Sequence, residues 1–207
     1  MHILETSRLL QEQNVNRTYR LCSDTKEYLS TFHNILNEMI SRMTDACLTD
    51  SISHNFIVQM IPHHQAAIEM SRNILQYTSF VTLQDIAEQI ITEQTKSIEN
   101  MEHILDCCSK QTNSQKELQQ YQCHINQIMQ NMFAEMGNAY ANHSIDADFM
   151  REMIPHHRGA VRMSKTTLQY SICNELVPIL QAIIASQERG IVQMEQLLRC
   201  CYSHQRC

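Results

Sequence analysis

Two histidine pairs set among methionines are the residues of this sequence best suited to chemistry. The first pair lies in the segment 54–70, HNFIVQMIPHHQAAIEM, and the second lies in the segment 147–163, ADFMREMIPHHRGAVRM. Imidazole nitrogen and thioether sulfur together form a soft to borderline ligand set. Such a set suits Cu(I) and, by the same reasoning, Ag(I) better than oxygen-preferring cations such as Mg2+ or Ca2+. The two segments therefore predict soft-metal binding.

The segments are two copies of one pattern, separated by 93 residues. His63 matches His156 and His64 matches His157 at this offset, and no gap is needed. The chain contains 13 methionines, and ten of them form pairs at the same offset: Met39 with Met132, Met43 with Met136, Met60 with Met153, Met70 with Met163, and Met101 with Met194. A repeat this long indicates a duplicated unit, because solenoid repeats have periods of about 20 to 50 residues. Two equivalent sites are therefore expected, built from these methionines and histidines.

Both segments are predicted to form helices that turn these side chains towards a core. At about 100° per residue, the histidine pair of each segment and the two methionines that are paired between the copies lie within an arc of about 120°, and the arginines of the second segment lie outside it. Burial of an imidazole costs free energy unless its nitrogens have partners, so a metal ion would account for two histidines on an apolar wall. His63 and His64 diverge by about 100° around the helix axis, so one of them is free to orient a neighbour or to hold a second ion.

Each of these residue types also has a purely structural interpretation. A methionine stripe at helical spacing is usually adaptable core filling, and a buried histidine is often satisfied by a carbonyl group. The methionine pairs favour metal binding, because interchangeable core positions drift between copies, as Leu36 and Met129 have done. Pro62 and Pro155 precede the histidine pairs, and the apolar periodicity that runs through them predicts bends inside helices rather than helix starts.

Composition and periodicity indicate an all-α protein. The chain has 207 residues, of which 43% are hydrophobic, with 3 glycines and no alternating strand pattern. Three helical stretches in each copy predict two tandem antiparallel helical bundle repeats, and residues 50–53 are predicted to form the turn and cap before the first histidine helix. The predicted boundaries are an N-terminal extension over 1–23, a first repeat over 24–113 and a second repeat over 114–207.

Charge and hydropathy argue against several kinds of partner. The net charge is -6 and no run of basic residues occurs, so nucleic-acid binding is not expected. No stretch of about 18 apolar residues occurs, so no membrane span is expected. The N-terminus lacks the pattern of a signal peptide. The sequence therefore predicts a cytoplasmic protein, or a periplasmic or exported one if the chain is a trimmed mature form.

The cysteines offer a second kind of soft ligand. The chain has 9 cysteines and no C-x-x-C motif, and reduced thiols are expected in a cytoplasmic protein. Doublets at 107–108 and 200–201 end the two repeats, and the segment 201–207 offers an additional soft-metal cluster. Small buried cysteine is the commoner role.

The motifs MIPHHQAAIEM and MIPHHRGAVRM, each followed by Q-x3-I-x2-M, resemble those of domain-of-unknown-function family 305 over about residues 30–108 and 123–201. The resemblance implies a ferritin-like helical bundle and a likeness to CopM-type copper-binding proteins, which bind copper through Met and His. Carried over residue by residue, it implies these ligands: Met60, His63, His64, Met70 and Met101, with Met153, His156, His157, Met163 and Met194. Ser97 and Gly190 stand where the family has an acidic residue.

The sequence thus predicts a protein that binds Cu(I) or Ag(I) and sequesters the ion or delivers it to an unidentified partner. The alternative is a non-catalytic helical protein whose methionine-rich faces merely pack or form a homo-oligomer. A di-iron oxidase is less favoured, because none of the 11 histidines follows a glutamate by three residues. No nucleophile stands in a recognisable catalytic pattern, so no enzyme is expected.

Overall fold

The structure is a computed structural model that describes residues 22–139, 141 and 144–203, and it describes the backbone alone for 201–203. The predicted N-terminal extension therefore lies outside the described residues, apart from its last two positions. The side chains of the candidate soft-metal cluster over 201–207 lie outside them as well.

Six helices make up the described chain: α1 Ser23–Thr44, α2 Ile52–Ile74, α3 Val81–Cys108, α4 Gln115–Gly137, α5 Ile145–Thr167 and α6 Leu176–Ser203. The predicted all-α class is confirmed, because the described residues contain no strand. The helices that carry the histidine pairs, α2 and α5, begin and end at positions 93 residues apart. None of the described helices is long and apolar enough to cross a membrane.

Local sequence explains where α2 and α5 begin. The Ser51 hydroxyl accepts a hydrogen bond from the backbone N–H of His54, and the Ser144 hydroxyl accepts the equivalent bond from Ala147, each at 3.3 Å. These side-chain caps satisfy backbone donors that the first turn of a helix leaves free. The predicted cap within 50–53 is confirmed. Both prolines lie inside their helices, as the apolar periodicity predicts.

The two histidine helices occupy the centre of the bundle. α1 and α3 pack on α2, while α4 and α6 pack on α5; the two sets meet where α2 packs on α5 and α3 packs on α6. Buried apolar side chains from all six helices form one cluster, so the two predicted repeats share a core. The division of the chain at 113 and 114 stays a prediction. The consequence for the site is that α2 and α5 bring their motifs into direct contact.

Candidate metal centre

Four histidines meet where α2 packs on α5. The imidazole rings of His63 and His156 are stacked, with centroids 3.7 Å apart and an interplanar angle of 30°. Within each helix the adjacent pair, His63 with His64 and His156 with His157, has centroids 5.9 Å apart. All four side chains are at most 2% exposed. We call these four residues the histidine quartet. The two motifs therefore come together at one place between the repeats.

Most ring nitrogens of the quartet have no partner within the described protein. His156 Nε2 lies 3.1 Å from the His63 carbonyl oxygen, and His64 Nε2 lies 3.0 Å from the Ser97 hydroxyl on α3. By hydrogen-bond geometry, both nitrogens of His63 and the Nδ1 atoms of His64, His156 and His157 lack a partner among the described atoms. The backbones of His156 and Met153 nevertheless lie close enough to His63 and His157, respectively, to oppose the lowering of their pKa values. A carbonyl oxygen can only accept, so His156 carries its proton on Nε2 and presents a lone pair at Nδ1. Five buried imidazole nitrogens thus lack a partner, and at most four of them can offer a lone pair, because a neutral His63 carries a proton on one of its two nitrogens.

Burial keeps the quartet neutral. It lowers the pKa of His64 to about 3 and the pKa of His156 to about 4. Burial also holds the pKa values of His63 and His157 well below the usual range, and the neighbouring imidazoles lower both further. A protonated imidazole has no lone pair for a metal, whereas a neutral one does. The environment that makes the histidines costly to bury therefore also leaves them in the form that binds metal ions.

Further buried polar groups lie on the same helix faces. Ser71 follows His64 by two turns of α2, and Gln94 precedes Ser97 by one turn of α3. Both are buried, and within the described residues the Ser71 hydroxyl and both amide atoms of Gln94 have no partner. The second repeat repeats this feature at Ser164 and at Gln187, whose Oε1 atom is likewise unpartnered among described atoms. Native cores rarely leave such groups unsatisfied. Their recurrence at matching positions therefore indicates that polar groups are a shared feature of both repeats.

All ten paired methionines lie in the core. None of Met39, Met43, Met60, Met70, Met101, Met132, Met136, Met153, Met163 and Met194 is more than 1% exposed. Met132 packs directly on α5: a Cβ atom added to Gly159 would lie 2.0 Å from the Met132 sulfur. The predicted inward orientation of these methionines is confirmed. Their role as ligands stays a prediction.

The spacing of the quartet limits how an ion would be held. Within the described part of the chain, no three histidine ligand atoms lie within 4.8 Å of one another. An ion would therefore use at most two imidazoles in this arrangement and take its remaining ligands from thioether sulfur. Buried imidazole and thioether groups suit Cu(I) by their softness and by the neutral form of the histidines.

The two repeats differ on the α3 and α6 side of the quartet. His64 contacts the Ser97 hydroxyl, whereas His157 faces Gly190 so closely that an added Cβ would lie 2.9 Å from its Cδ2 and 3.0 Å from its Nε2. Ser97 and Gly190 are the positions where the family resemblance leads one to expect an acidic side chain. The second repeat has no room for one, and the first has a neutral hydroxyl in its place.

Two charged side chains of α5 that the sequence pattern does not single out lie in the core. Asp148 is 1% exposed and Glu152 is 3% exposed. Glu152 accepts a 2.6 Å hydrogen bond from the hydroxyl of Tyr28 on α1, and burial raises its pKa well above the usual range. Asp148 is paired with Arg151 at 2.9 Å. Helical periodicity misses both residues because their partners, not their own polarity, make burial tolerable.

The expectation of reduced thiols is wrong for one pair of cysteines. Cys108 at the end of α3 and Cys173 in the loop between α5 and α6 form a disulfide with a Cα–Cα distance of 5.4 Å. This bond links the two predicted repeats covalently. This pairing could not be predicted, because cysteine spacing alone does not determine which cysteines join.

Comparison with known proteins places the chain in a family. The sequence model for the family described as "Domain of unknown function (DUF305)" matches residues 53–198, which is more than half of the chain and includes both histidine pairs. The chain belongs to the DUF305 family. A crystal structure of a DUF305 fragment from Deinococcus radiodurans is similar to this DUF305 chain, with a TM-score of 0.52 and 22% sequence identity. The likeness covers 71% of this chain and 95% of the fragment, and at that identity it shows the shared fold alone. No curated protein matches this sequence.

Proposed function

We propose that this protein binds a soft monovalent ion, Cu(I) or its analogue Ag(I), and sequesters or transfers it without chemical turnover. The observation that carries the proposal is the set of five buried, unpartnered imidazole nitrogens in the histidine quartet. Without a ligand those nitrogens cost free energy, on the order of 1–3 kcal/mol for each unsatisfied group. A bound ion would remove part of that cost, and the low pKa values keep the lone pairs available.

His63 is the first candidate ligand, because neither of its nitrogens has a described partner. His156 offers Nδ1, since its other nitrogen donates to the His63 carbonyl. The ten buried methionines supply sulfur, and burial protects the ion from oxidants dissolved in water. A likeness to CopM-type copper-binding proteins agrees with this donor set and is part of the proposal.

The types of ligand in the quartet favour metal binding over redox catalysis. A di-iron centre in a helical bundle is built from glutamate and histidine on facing helices. Among the described residues, no carboxylate joins the quartet in a three-ligand group. The other alternative is a helical interaction protein with a methionine-rich core. In that case, substitution of the methionines should leave Cu(I) uptake unchanged.

The location of the protein is also a proposal. The sequence predicts a cytoplasmic protein, or a periplasmic or exported one if the chain is a trimmed mature form. The Cys108–Cys173 disulfide favours an oxidising compartment outside the cytoplasm instead, because structural disulfides are rare where cellular thiols keep cysteine reduced. Fractionation of cells that produce the protein, with the disulfide measured by thiol labelling of each fraction, distinguishes the two.

The function is tested by competitive Cu(I) titration of the purified chain against a chromophoric chelator, under conditions that keep the disulfide intact. Met70→Leu with Met163→Leu removes two sulfurs while nearly conserving volume, so the fold is retained and the affinity should fall at least about tenfold. Met129→Leu is the matched control, because leucine already occupies the equivalent position 36. It should bind as the wild type does.

Substitution of the histidines is the complementary experiment in the same Cu(I) titration. His63→Gln with His156→Gln should abolish tight Cu(I) uptake, with helical circular dichroism confirming that the bundle remains folded. Equal uptake by the wild type and both sets of variants would favour the packing alternative and reject metal binding by the quartet. Tight iron uptake with oxygen consumption would favour the oxidase.

A further inference from the structure

The end of the bundle at the N-terminus of α2 holds a second group of potential ligands, separate from the quartet. Cys107, Cys108 and Glu175 each offer a ligand atom, and these atoms all lie within 4.8 Å of one another. Cys107 and Glu175 are exposed, and Cys108 is fully buried beneath them. Two sulfurs and a carboxylate oxygen at this spacing form the beginning of a tetrahedral zinc site.

The disulfide occupies one of these sulfurs. Cys108 is bonded to Cys173, so in the oxidised protein it has no thiolate to offer, and Cys173 is itself 6% exposed. Metal coordination requires the thiolate form. Reduction would release two thiols at once, beside the thiol of Cys107 and the carboxylate of Glu175. The number of potential ligands on these four residues would rise from two to four, with the Cys173 sulfur the one that lies outside the group of ligand atoms within 4.8 Å of one another.

Hydrogen bonds hold the two cysteine backbones in place independently of the disulfide. The Ser51 hydroxyl donates to the Cys108 carbonyl at 3.0 Å, and the Ser53 hydroxyl accepts from the Cys173 backbone N–H at 2.9 Å. Both bonds are buried and both serines lie at the start of α2. The sulfurs therefore remain neighbours after the bond between them is broken, and less ordering is needed when a metal binds.

The loops that flank the cysteines are tied to the same helix end. Asn113 accepts from the backbone N–H of Ile52 at 2.9 Å and donates to the Ser171 carbonyl at 2.8 Å. His54 is not an additional ligand here, because its ring nitrogens already contact Ser109 and the Cys47 carbonyl. The candidate ligands are thus the three cysteines and Glu175.

We propose that the protein has a redox-gated zinc site, formed by Cys107, Cys108, Cys173 and Glu175 when the Cys108–Cys173 disulfide is reduced. The reductant is a dithiol. It transfers two electrons and two protons to the disulfide, which gives two thiols, and it becomes a disulfide itself. Zn2+ then displaces protons from the three thiols to the solvent and is held by three thiolates and one carboxylate. A small disulfide is the oxidant for the reverse step: it accepts two electrons from the Cys108 and Cys173 thiolates and two protons from the solvent, becoming two thiols, while the Cys108–Cys173 disulfide forms again and the zinc ion is released.

The sequence limits this site to one end of the bundle. Phe80 stands 93 residues before Cys173, so the first repeat lacks the third cysteine. The site therefore binds one equivalent of metal, and it does not depend on the copper function proposed for the quartet.

The test uses the full chain with the other six cysteines changed to serine, at positions 22, 47, 123, 200, 201 and 207. Co2+ is the spectroscopic probe, because thiolate ligands give it an intense charge-transfer band, and Zn2+ then displaces it. The oxidised chain should show no band. The chain treated with a dithiol and exchanged into a non-coordinating phosphine reductant should bind one equivalent.

Variants separate the site from adventitious binding. Cys107→Ser, Cys108→Ser and Glu175→Gln should each weaken Zn2+ binding at least about tenfold. Glu102→Gln, at an exposed position one and a half turns before Cys108, should leave the affinity unchanged. Cys173→Ser should bind weakly but without any reductant, because it leaves Cys108 free.

Equal Zn2+ binding by the oxidised and reduced chains would overturn the proposal. The absence of binding by a reduced chain that keeps its helical circular dichroism would also overturn it, as would the loss of that helical signal on reduction. Wild-type affinity in Cys107→Ser or Glu175→Gln would also reject it. The combination His63→Gln with His156→Gln should leave zinc binding intact, so failure of this site and failure of the copper site are distinguishable.

Discussion

Acidification should unfold the metal-free protein far more readily than its overall charge would indicate. The quartet is buried in the neutral form, with pKa values of about 3 for His64 and about 4 for His156 and values well below the usual range for the other two. In the unfolded chain each histidine titrates near its ordinary pKa of about 6.5. The unfolded state therefore binds protons that the folded state cannot bind, and stability falls as the pH falls below about 6.5.

The size of the effect follows from these pKa values. Between pH 7 and pH 5.5, protonation stabilises one unfolded histidine of pKa about 6.5 by roughly 1.3 kcal/mol, while a folded histidine of pKa about 4 gains almost nothing. Four such residues together give about 5 kcal/mol. A typical domain has a free energy of unfolding of about 5–15 kcal/mol, so the loss is a large share of the total.

Urea denaturation of chelator-treated protein, followed by circular dichroism across this pH range, measures the effect. His64→Gln or His157→Gln should each reduce the number of protons taken up on unfolding by about one. His103→Gln, which changes an exposed histidine of α3, is the matched control for the loss of an imidazole outside the core. A wild-type stability that stays flat or rises between pH 7 and pH 5.5 would contradict this prediction, because it would mean that the folded quartet accepts protons freely.

Three further predictions concern residues around the quartet. Glu152→Gln should stabilise the protein at neutral and higher pH. The pKa of Glu152 is raised in the folded protein, so the stability tied to its protonated form is lost as the pH rises through that pKa. Urea titrations at two pH values measure the gain, and a less stable variant at high pH would contradict the prediction. Gly190→Ala should displace the His157 ring and lower the free energy of unfolding by roughly 1 kcal/mol, because overpacking of about 1–3 kcal/mol outweighs the better helix propensity of alanine. A more stable variant would show that the ring moves freely. Gly159→Ala should push Met132 from its place on α5 and weaken Cu(I) binding in competitive titration, whereas unchanged affinity would exclude Met132 as a ligand.

The sequence predicts well whatever depends on local pattern. The 3.6-residue periodicity predicts α2 and α5 and the burial of their histidines and methionines, and a serine at 51 marks the start of α2. Pro62 and Pro155 interrupt neither helix, as the continuous apolar pattern indicates. These features need no information about the rest of the chain.

The sequence pattern does not show which distant residues contact one another. A helical wheel identifies a buried face but not the helix that covers it, so the stacking of His63 on His156 could not be derived from either motif alone. The burial of Glu152 depends on Tyr28, 124 residues away along the chain. The Cys108–Cys173 bond likewise joins distant segments whose proximity only the tertiary fold provides. In each case the missing information is a contact between elements rather than the nature of an element.

Anomalous X-ray scattering from crystals of the Cu(I)-loaded protein is the most direct measurement of the central claim. A copper peak is expected at the contact of α2 with α5, within bonding distance of an imidazole nitrogen of His63 or His156 and of at least one methionine sulfur. A protein that takes up copper only at its cysteines, with the quartet nitrogens still unpartnered, would contradict it.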